Sequence, residues 1–257
     1  MQALKETVKR AVIEVFQAFF AFLSVDITQS LPAGPALVIA PHPDDETLGC
    51  GAAVLRLRDS GFPVRIVIVT DGSSSTQSTV MTPEALAALR QEEARRAAGR
   101  LGVTADDVVF LSYPDGKAAA HIEKIAGDIE IQAKLCAPAI VFSPYGIDRH
   151  PDHRAVAAAV MRLVNSRVIA CPVYEYPLWF WPMGALRHAM AVSPLLTHKR
   201  IDAGGYLDRK KAALMEHRSQ FENLTGEADW QRLTLAFAAR FLKPYELFFE
   251  KSPANRG

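Results

Sequence analysis

The run "ALVIAPHPDDETLGCG" (residues 36–51) passes from five apolar residues to a histidine and three acidic side chains packed into positions 42–46. Ala36 to Ala40 is continuously apolar rather than alternating, the pattern of a strand covered on both faces. Carboxylates at the mouth of such a strand lose part of their hydration, and the adjacent Asp44 and Asp45 also repel each other. A cation nearby would relieve both costs. Residues 46–60 follow with helical spacing, so the acidic cluster falls in a strand-to-helix turn.

The same alternation extends along the chain. Further strands are expected at 64–70, 107–112, 139–144 and 173–177, and helices at 83–101, 118–136 and 153–165. The expected fold class is α/β: a Rossmann-like, doubly wound, mostly parallel sheet with helices on both faces. Ligands of such folds bind beyond the C-terminal ends of the strands. "PHPDDE", "TDGSSS", "YPDG" and "YGIDRHPDH" each follow one of these strands.

With 257 residues, 49% hydrophobic and 22% charged, the chain suits one large domain. A net charge of +1 argues against nucleic acid as a partner. Cys50, Cys136 and Cys171 are scattered and odd in number, which suggests reduced thiols in a cytoplasmic setting. Residues 1–32 read as an amphipathic helical extension ahead of a domain at 33–257. Val12, Val15, Phe16, Phe19, Phe20 and Leu23 fall near helical spacing there. Glu14 and Gln17 interrupt the apolar run, which is short for a bilayer and lacks a small-x-small cleavage pattern. Neither a transmembrane segment nor a signal peptide is expected. Packing on its own domain or on a second copy in a homo-oligomer is the first expectation, and peripheral membrane contact through residues 11–25 is the alternative.

"HPDDE" at 42–46 and "HPDH" at 150–153 combine imidazole with carboxylate, the ligand set zinc favours when one position must stay open for water. Pro43 and Pro151 stiffen the two loops. A divalent metal held by two histidines and one carboxylate keeps net positive charge, acidifying water and polarising a carbonyl. One of the paired aspartates can bind metal while its neighbour faces the water it deprotonates. Helix capping is the plainer reading of Asp44 or Asp45 taken alone; the second histidine cluster weighs against it.

These segments resemble the PIG-L (LmbE-like) family of N-acetylglucosaminyl deacetylases, zinc enzymes with a Rossmann-like fold. The resemblance runs from about residue 36 to about residue 250, through "APHPDDETLGCG", "VTDG", "LRQEEARRAAGRLGV", "YPDG", "HPDHRA", "YEYP" and "KKAALMEHRSQ". It implies His42, Asp45 and His153 as ligands of Zn2+, with another divalent transition metal as a substitute. It also implies Asp44 as general base, His150 as the group that stabilises the oxyanion, and Asp152 as the residue that orients and charges His150. Arg90 and Asp115 are directed toward the substrate, and Asp71 and Arg149 complete the candidate substrate contacts. Turn formation competes for Asp71, and an intrahelical pair with Glu93 competes for Arg90.

Glu46 is read as a capping or supporting residue, and Cys50 as core. His217, Ser219 and Gln220 are too crowded for a hydrolase triad and are expected to hydrogen-bond near the pocket rim. His121, His188 and His198 have no neighbours at ligand spacing. Tyr176, Trp179, Phe180 and Trp181 form either a platform for a sugar face or a core cluster. One departure stands out: some family members carry a catalytic tyrosine two residues ahead of HPDH, and here that position is Asp148. The expected reaction is removal of acetyl from an N-acetylated amino sugar, free or in a glycoconjugate. An N-acyl natural product or thiol conjugate is the alternative substrate, and a non-catalytic carbohydrate-binding protein on the same fold the alternative role.

Overall fold

Strand β2 (Ala36–Ala40) forms with the bounds its apolar run predicts, and every residue in it is buried. The computed structural model describes residues 2–76, 78–179, 197–228, 230 and 233–251. Among them β1 (Val25–Asp26), β2, β3 (Val64–Thr70), β4 (Val108–Tyr113), β5 (Ile140–Pro144), β6 (Val173–Tyr176), β7 (Thr197–Asp202) and β8 (Tyr245–Lys251) form one sheet. The strand order is β1-β7-β8-β6-β5-β2-β3-β4. Helices α2 (Asp45–Asp59), α3 (Pro83–Arg100), α4 (Ile122–Cys136) and α5 (Pro151–Asn165) connect β2 through to β6 in turn. The pairings are parallel except those of β8, which runs antiparallel to β6 and β7. The doubly wound, mostly parallel architecture expected from the alternation is the one observed.

β2 shows why its run is apolar on both faces. Val38 and Ala40 pack in one core with Leu48 of α2 and Ala94 of α3. Leu37 and Ile39 pack in the other, with Ile125 of α4 and Val156 of α5. Burying a side chain of this size stabilises by about 1.5–3 kcal/mol. From β2 the chain winds outward to β3 and β4, then returns to β5 on the other side of β2. The loops after β2 and β5 therefore diverge, leaving a crevice at their shared end. The register Ala36↔Ile140, Leu37↔Val141, Val38↔Phe142 sets those two strand ends side by side. The segments 42–46 and 150–153 meet for this reason.

Helix α2 is not the uninterrupted helix expected at 46–60. Cys50, with φ −144° and ψ 21°, breaks it. Lys210, on α6 (Leu207–Leu214), donates to the Leu48 carbonyl at 2.9 Å, closing the first half. Glu246 of β8 accepts from the Ala52 and Ala53 amides at 2.8 and 2.9 Å, opening the second. The two side chains also pair with each other at 2.7 Å and are almost completely buried.

Helix α1 (Gln2–Leu23) joins the same core through Ile13 and Phe20, and Gln17 donates to the Arg240 carbonyl. Phe20 lies against the ring of His198, which is a structural histidine at this edge of the sheet. Val15, Phe19 and Phe22 on its other face are exposed. No helix among the described residues is long and apolar enough to cross a membrane. Phe180, Trp181 and His188 lie outside the described residues.

Candidate active site

Asp44 has φ 137°, a backbone region costly for a residue with a Cβ, by about 1–3 kcal/mol. Its amide donates to Glu46 Oε2 at 3.0 Å, and its carbonyl accepts from Thr47 and Leu48 to start α2. Its carboxylate makes no capping bond and lines a cavity instead. Capping therefore does not account for this side chain. Burial pushes its pKa up to about 7, against the pull of Arg90 and with the help of Asp45.

Asp45 Oδ2 accepts from the His42 amide at 2.9 Å and lies 3.1 Å from His42 Nδ1 and 3.2 Å from His153 Nε2. Despite that short separation, His153 Nε2 is buried without a hydrogen-bond partner. The spacing of these two buried atoms matches that of donors arranged around one cation. Adjacent donors on tetrahedral zinc lie about 3.3 Å apart, given bonds of about 2.0–2.1 Å. His42, His150 and His153 also place one ring nitrogen each within 4.8 Å of the others, and His42, Asp115 and Asp152 form a second such group. The residues present fit a divalent metal ion.

Asp148 is the residue that sequence reasoning missed. It is buried, with Oδ2 3.3 Å from His153 Nδ1 and accepting from the Trp179 amide at 3.0 Å, while Oδ1 accepts from the His150 amide. Burial raises its pKa, but His153 and these amides bring it below the usual range. Burial likewise opposes protonation of His153, but Asp45 and Asp148 raise its pKa to about 9. With Nδ1 held by Asp148, His153 turns Nε2 toward Asp45. A carboxylate behind a ligand histidine is typically worth about 10–100-fold in metal affinity, so Asp148→Asn is expected to lose metal that much more readily in a chelator competition. Wild-type retention would mean that packing alone orients the ring. The local signal for it is Asp-x-His immediately ahead of a helix.

Asp152 differs from its expected role. Its carboxylate accepts from the Gly116 and Ala118 amides at 2.7 and 3.1 Å and lies 3.3 Å from His42 Nε2. His150 instead meets the Asp152 backbone, its Nδ1 accepting that amide at 3.3 Å. Asp152 thus ties the loop after β4 to His42, while its charge also acts to raise the His150 pKa against stronger opposing influences. Burial and the adjacent His42 and His153 push the His150 pKa down. The structure therefore favours a neutral His150 carrying its hydrogen on Nε2.

Arg90 does not pair with Glu93, which accepts from the amide and hydroxyl of Ser219. Its guanidinium donates to the Gly72 and Pro43 carbonyls at 3.0 and 2.6 Å and lies 3.4 Å from Asp44 Oδ2. Arg90 reaches the cavity wall as a strut beneath Asp44, with both terminal nitrogens already engaged. Gly72, at φ 68°, is required here, because a Cβ would lie 2.6 Å from the arginine. Asp71 follows the turn reading: its Oδ1 accepts from the Ser73 and Asp115 amides. Asp115 faces the cavity, 3.2 Å from His42 Nε2. Burial raises its pKa, but His42 brings it down to about 2. Arg149 is exposed and is not in the cavity wall. Glu46 supports Asp44 from below, with His217 3.3 Å from its other oxygen.

The cavity holds about 390 Å³, with Asp44, Asp115 and His150 on its polar side and Leu48, Trp179 and Leu233 on its apolar side. Trp179 stacks on Phe237 at 4.6 Å. Tyr176 is core, its hydroxyl bonded to the Ile39 carbonyl. Gln220 joins the rim, as expected.

The family model described as GlcNAc-PI de-N-acetylase (PIG-L) matches residues 37–164. The chain is 30% identical over 258 residues to diacetylchitobiose deacetylase of Thermococcus kodakarensis, covering 95% of this chain and 88% of that one. It is 27% identical to a probable N-acetyl-alpha-D-glucosaminyl L-malate deacetylase of Bacillus anthracis, over 72% of this chain and 80% of the other. Its fold is similar to that of N,N'-diacetylchitobiose deacetylase from Pyrococcus horikoshii, with a TM-score of 0.61 at 22% identity over 87% and 80% of the two chains. The motif pair that meets at the ends of β2 and β5 is thus part of a likeness spanning nearly the whole chain, and the protein belongs to the PIG-L (LmbE-like) family.

Proposed function

We propose that this protein is a zinc-dependent hydrolase that removes the N-acetyl group from an N-acetylated amino sugar, with Asp44 as general base. The observation that carries this reading is the facing pair Asp45 Oδ2 and His153 Nε2, 3.2 Å apart without a hydrogen bond, beside an uncapped and strained Asp44. The relatives named as deacetylases of N-acetylglucosamine compounds supply the substrate class. His42, Asp45 and His153 would hold the ion, and when bound it supplies Lewis acidity and an acidified water. Asp44 accepts the proton of the attacking water, near neutral pH because burial raises its pKa. Glu46 and Arg90 hold it in place through its amide and the neighbouring Pro43 carbonyl. His150, neutral with Nε2–H, donates to the acetyl oxygen as negative charge gathers there. Asp44 then returns its proton to the departing amine, so water and amide become acetate and free amine. Three free cysteines support a reducing, cytoplasmic location.

The test is acetate release from N,N'-diacetylchitobiose and related N-acetylglucosamine conjugates, before and after chelation. Activity is expected to vanish on metal removal and return with Zn2+ or, less fully, another divalent transition metal. Undiminished turnover by metal-free protein would overturn the zinc mechanism.

A further inference from the structure

We infer that His217 is a positioning residue for the reaction: by holding Glu46 against the Pro43–Asp44 peptide, it keeps the Asp44 carboxylate aimed at the attacking water. This role rests on the reading of Asp44 as general base and adds the contacts that set the geometry of that base. The peptide joining Pro43 to Asp44 is gripped at both ends. Its carbonyl accepts from Arg90 Nη2 at 2.6 Å, and its N–H donates to Glu46 Oε2 at 3.0 Å. In a trans peptide these two groups point in opposite directions, so a cation and a carboxylate fix the tilt of the plane from opposite sides. That tilt carries Asp44 to φ 137°, a region that a residue with a Cβ keeps only where its surroundings over-determine it.

Glu46 grips the amide only while its own carboxylate is held. The Thr47 hydroxyl donates to Glu46 Oε1 at 2.7 Å. His217 Nε2 lies 3.3 Å from that same oxygen and 3.4 Å from Thr47 Oγ1. The hydroxyl hydrogen of Thr47 is spent on Glu46, so both atoms facing Nε2 are acceptors, and Nε2 carries a hydrogen. Glu46 and His217 are each buried. Burial opposes protonation of His217, but Glu46 and Asp44 raise its pKa; burial likewise opposes ionisation of Glu46, and His217 brings its pKa down. A carboxylate in so dry a place turns toward whatever donor remains when one is removed. Without His217, Glu46 is free to leave the Asp44 amide.

Helix α3 sets where His217 sits. Glu216 accepts from Arg96 at 3.3 Å and Arg100 at 2.9 Å, and Glu93 accepts from the amide and hydroxyl of Ser219 at 2.8 and 2.6 Å. The chain is therefore pinned to α3 on either side of His217. Arg90 extends from the same helix. α3 thus reaches the Pro43–Asp44 peptide by two routes, directly through Arg90 and indirectly through His217 and Glu46. His217 is not in the cavity wall, so its influence on the reaction passes through Glu46. A group acting in this way changes the rate of the chemical step and leaves substrate binding alone.

The experiment compares His217→Asn with His217→Gln in the zinc-loaded enzyme, measuring kcat, KM and metal content. The substrate is N,N'-diacetylchitobiose, or whichever N-acetylglucosamine conjugate the wild type deacetylates fastest. Both replacements are neutral amides. The glutamine nitrogen reaches the place of Nε2 and the asparagine nitrogen stops a bond short, so the pair isolates the donor to Glu46. His217→Asn is expected to lower kcat by about 10–100-fold, as for a reacting group displaced by about 1 Å, with KM within about twofold and the metal retained. His217→Gln is expected to recover most of that loss. In an Asp44→Asn background, His217→Asn is expected to cost nothing further, because the group it positions is gone. Wild-type kcat in His217→Asn, an equal loss in His217→Gln, loss of metal or of the fold, or a further drop in the Asp44→Asn background would overturn the positioning role alone. An Asp44→Asn variant as active as the wild type, or no acetate from any conjugate, would overturn the reading of the site and this role together.

Discussion

Asp44→Asn is expected to lower turnover by about 10²–10⁴-fold without loss of metal, the range for removal of a proton-transfer group. The substitution is close to isosteric, and asparagine meets the positive φ of this position with the same Cβ as aspartate. The amide that donates to Glu46 and the carbonyl that starts α2 belong to the backbone and survive the change. What disappears is the carboxylate that accepts a proton. The pH profile provides a second reading of the same residue. Burial raises the Asp44 pKa to about 7, and the working form is the carboxylate, so the rate falls as pH drops below that value. A cation beside Asp45 pulls the value down, which sets this acid limb at or below pH 7. The small residual rate of Asp44→Asn is expected to lack the limb. Acetate release across pH, with metal content measured on the same samples, decides it. A variant keeping a tenth of wild-type turnover would remove Asp44 from the base role.

Lys210→Met is expected to destabilise the fold by about 3–5 kcal/mol, because it leaves the Glu246 charge buried without its partner. Methionine matches the length of the stem but supplies no donor for the Leu48 carbonyl, which ends the first half of α2. That half begins with Asp45 and Glu46, so the pair also anchors the helix that presents the site. Lys210→Met combined with Glu246→Gln is expected to recover part of the loss. The neutral amide oxygen can still accept from Ala52 or Ala53, and no unpaired charge remains. Urea unfolding of the two variants measures the difference. A cost below about 1 kcal/mol for the single change would show that packing around Tyr176, which closes on Gly49, holds the break without the ion pair.

The segments read correctly from the chain were those whose signal is local. Apolar runs at 36–40 and 64–70 and the helical spacing of 83–101, one residue longer than the helix that forms, report burial on two faces or on one, and burial of that kind is written into neighbouring residues. β7 escaped notice because His198, Lys199 and Arg200 interrupt any apolar run, and β8 because its antiparallel place between β6 and β7 depends on strands far away in sequence. The break at Cys50 leaves no local signal for a similar reason: it is stabilised by Lys210 and Glu246, more than 150 residues downstream.

By itself, then, the order of residues determined the doubly wound layers and the two histidine-carboxylate loops at neighbouring strand ends, since periodicity and turn chemistry act over a few positions. Tertiary structure alone decided which atom each polar group answers. It turned Asp152 toward Gly116, Ala118 and His42, Arg90 toward Gly72 and Pro43, and Asp148 toward His153. A buried donor or acceptor must find a partner within about 3 Å, and which partner lies there is set by how distant backbones pack, not by spacing along the chain.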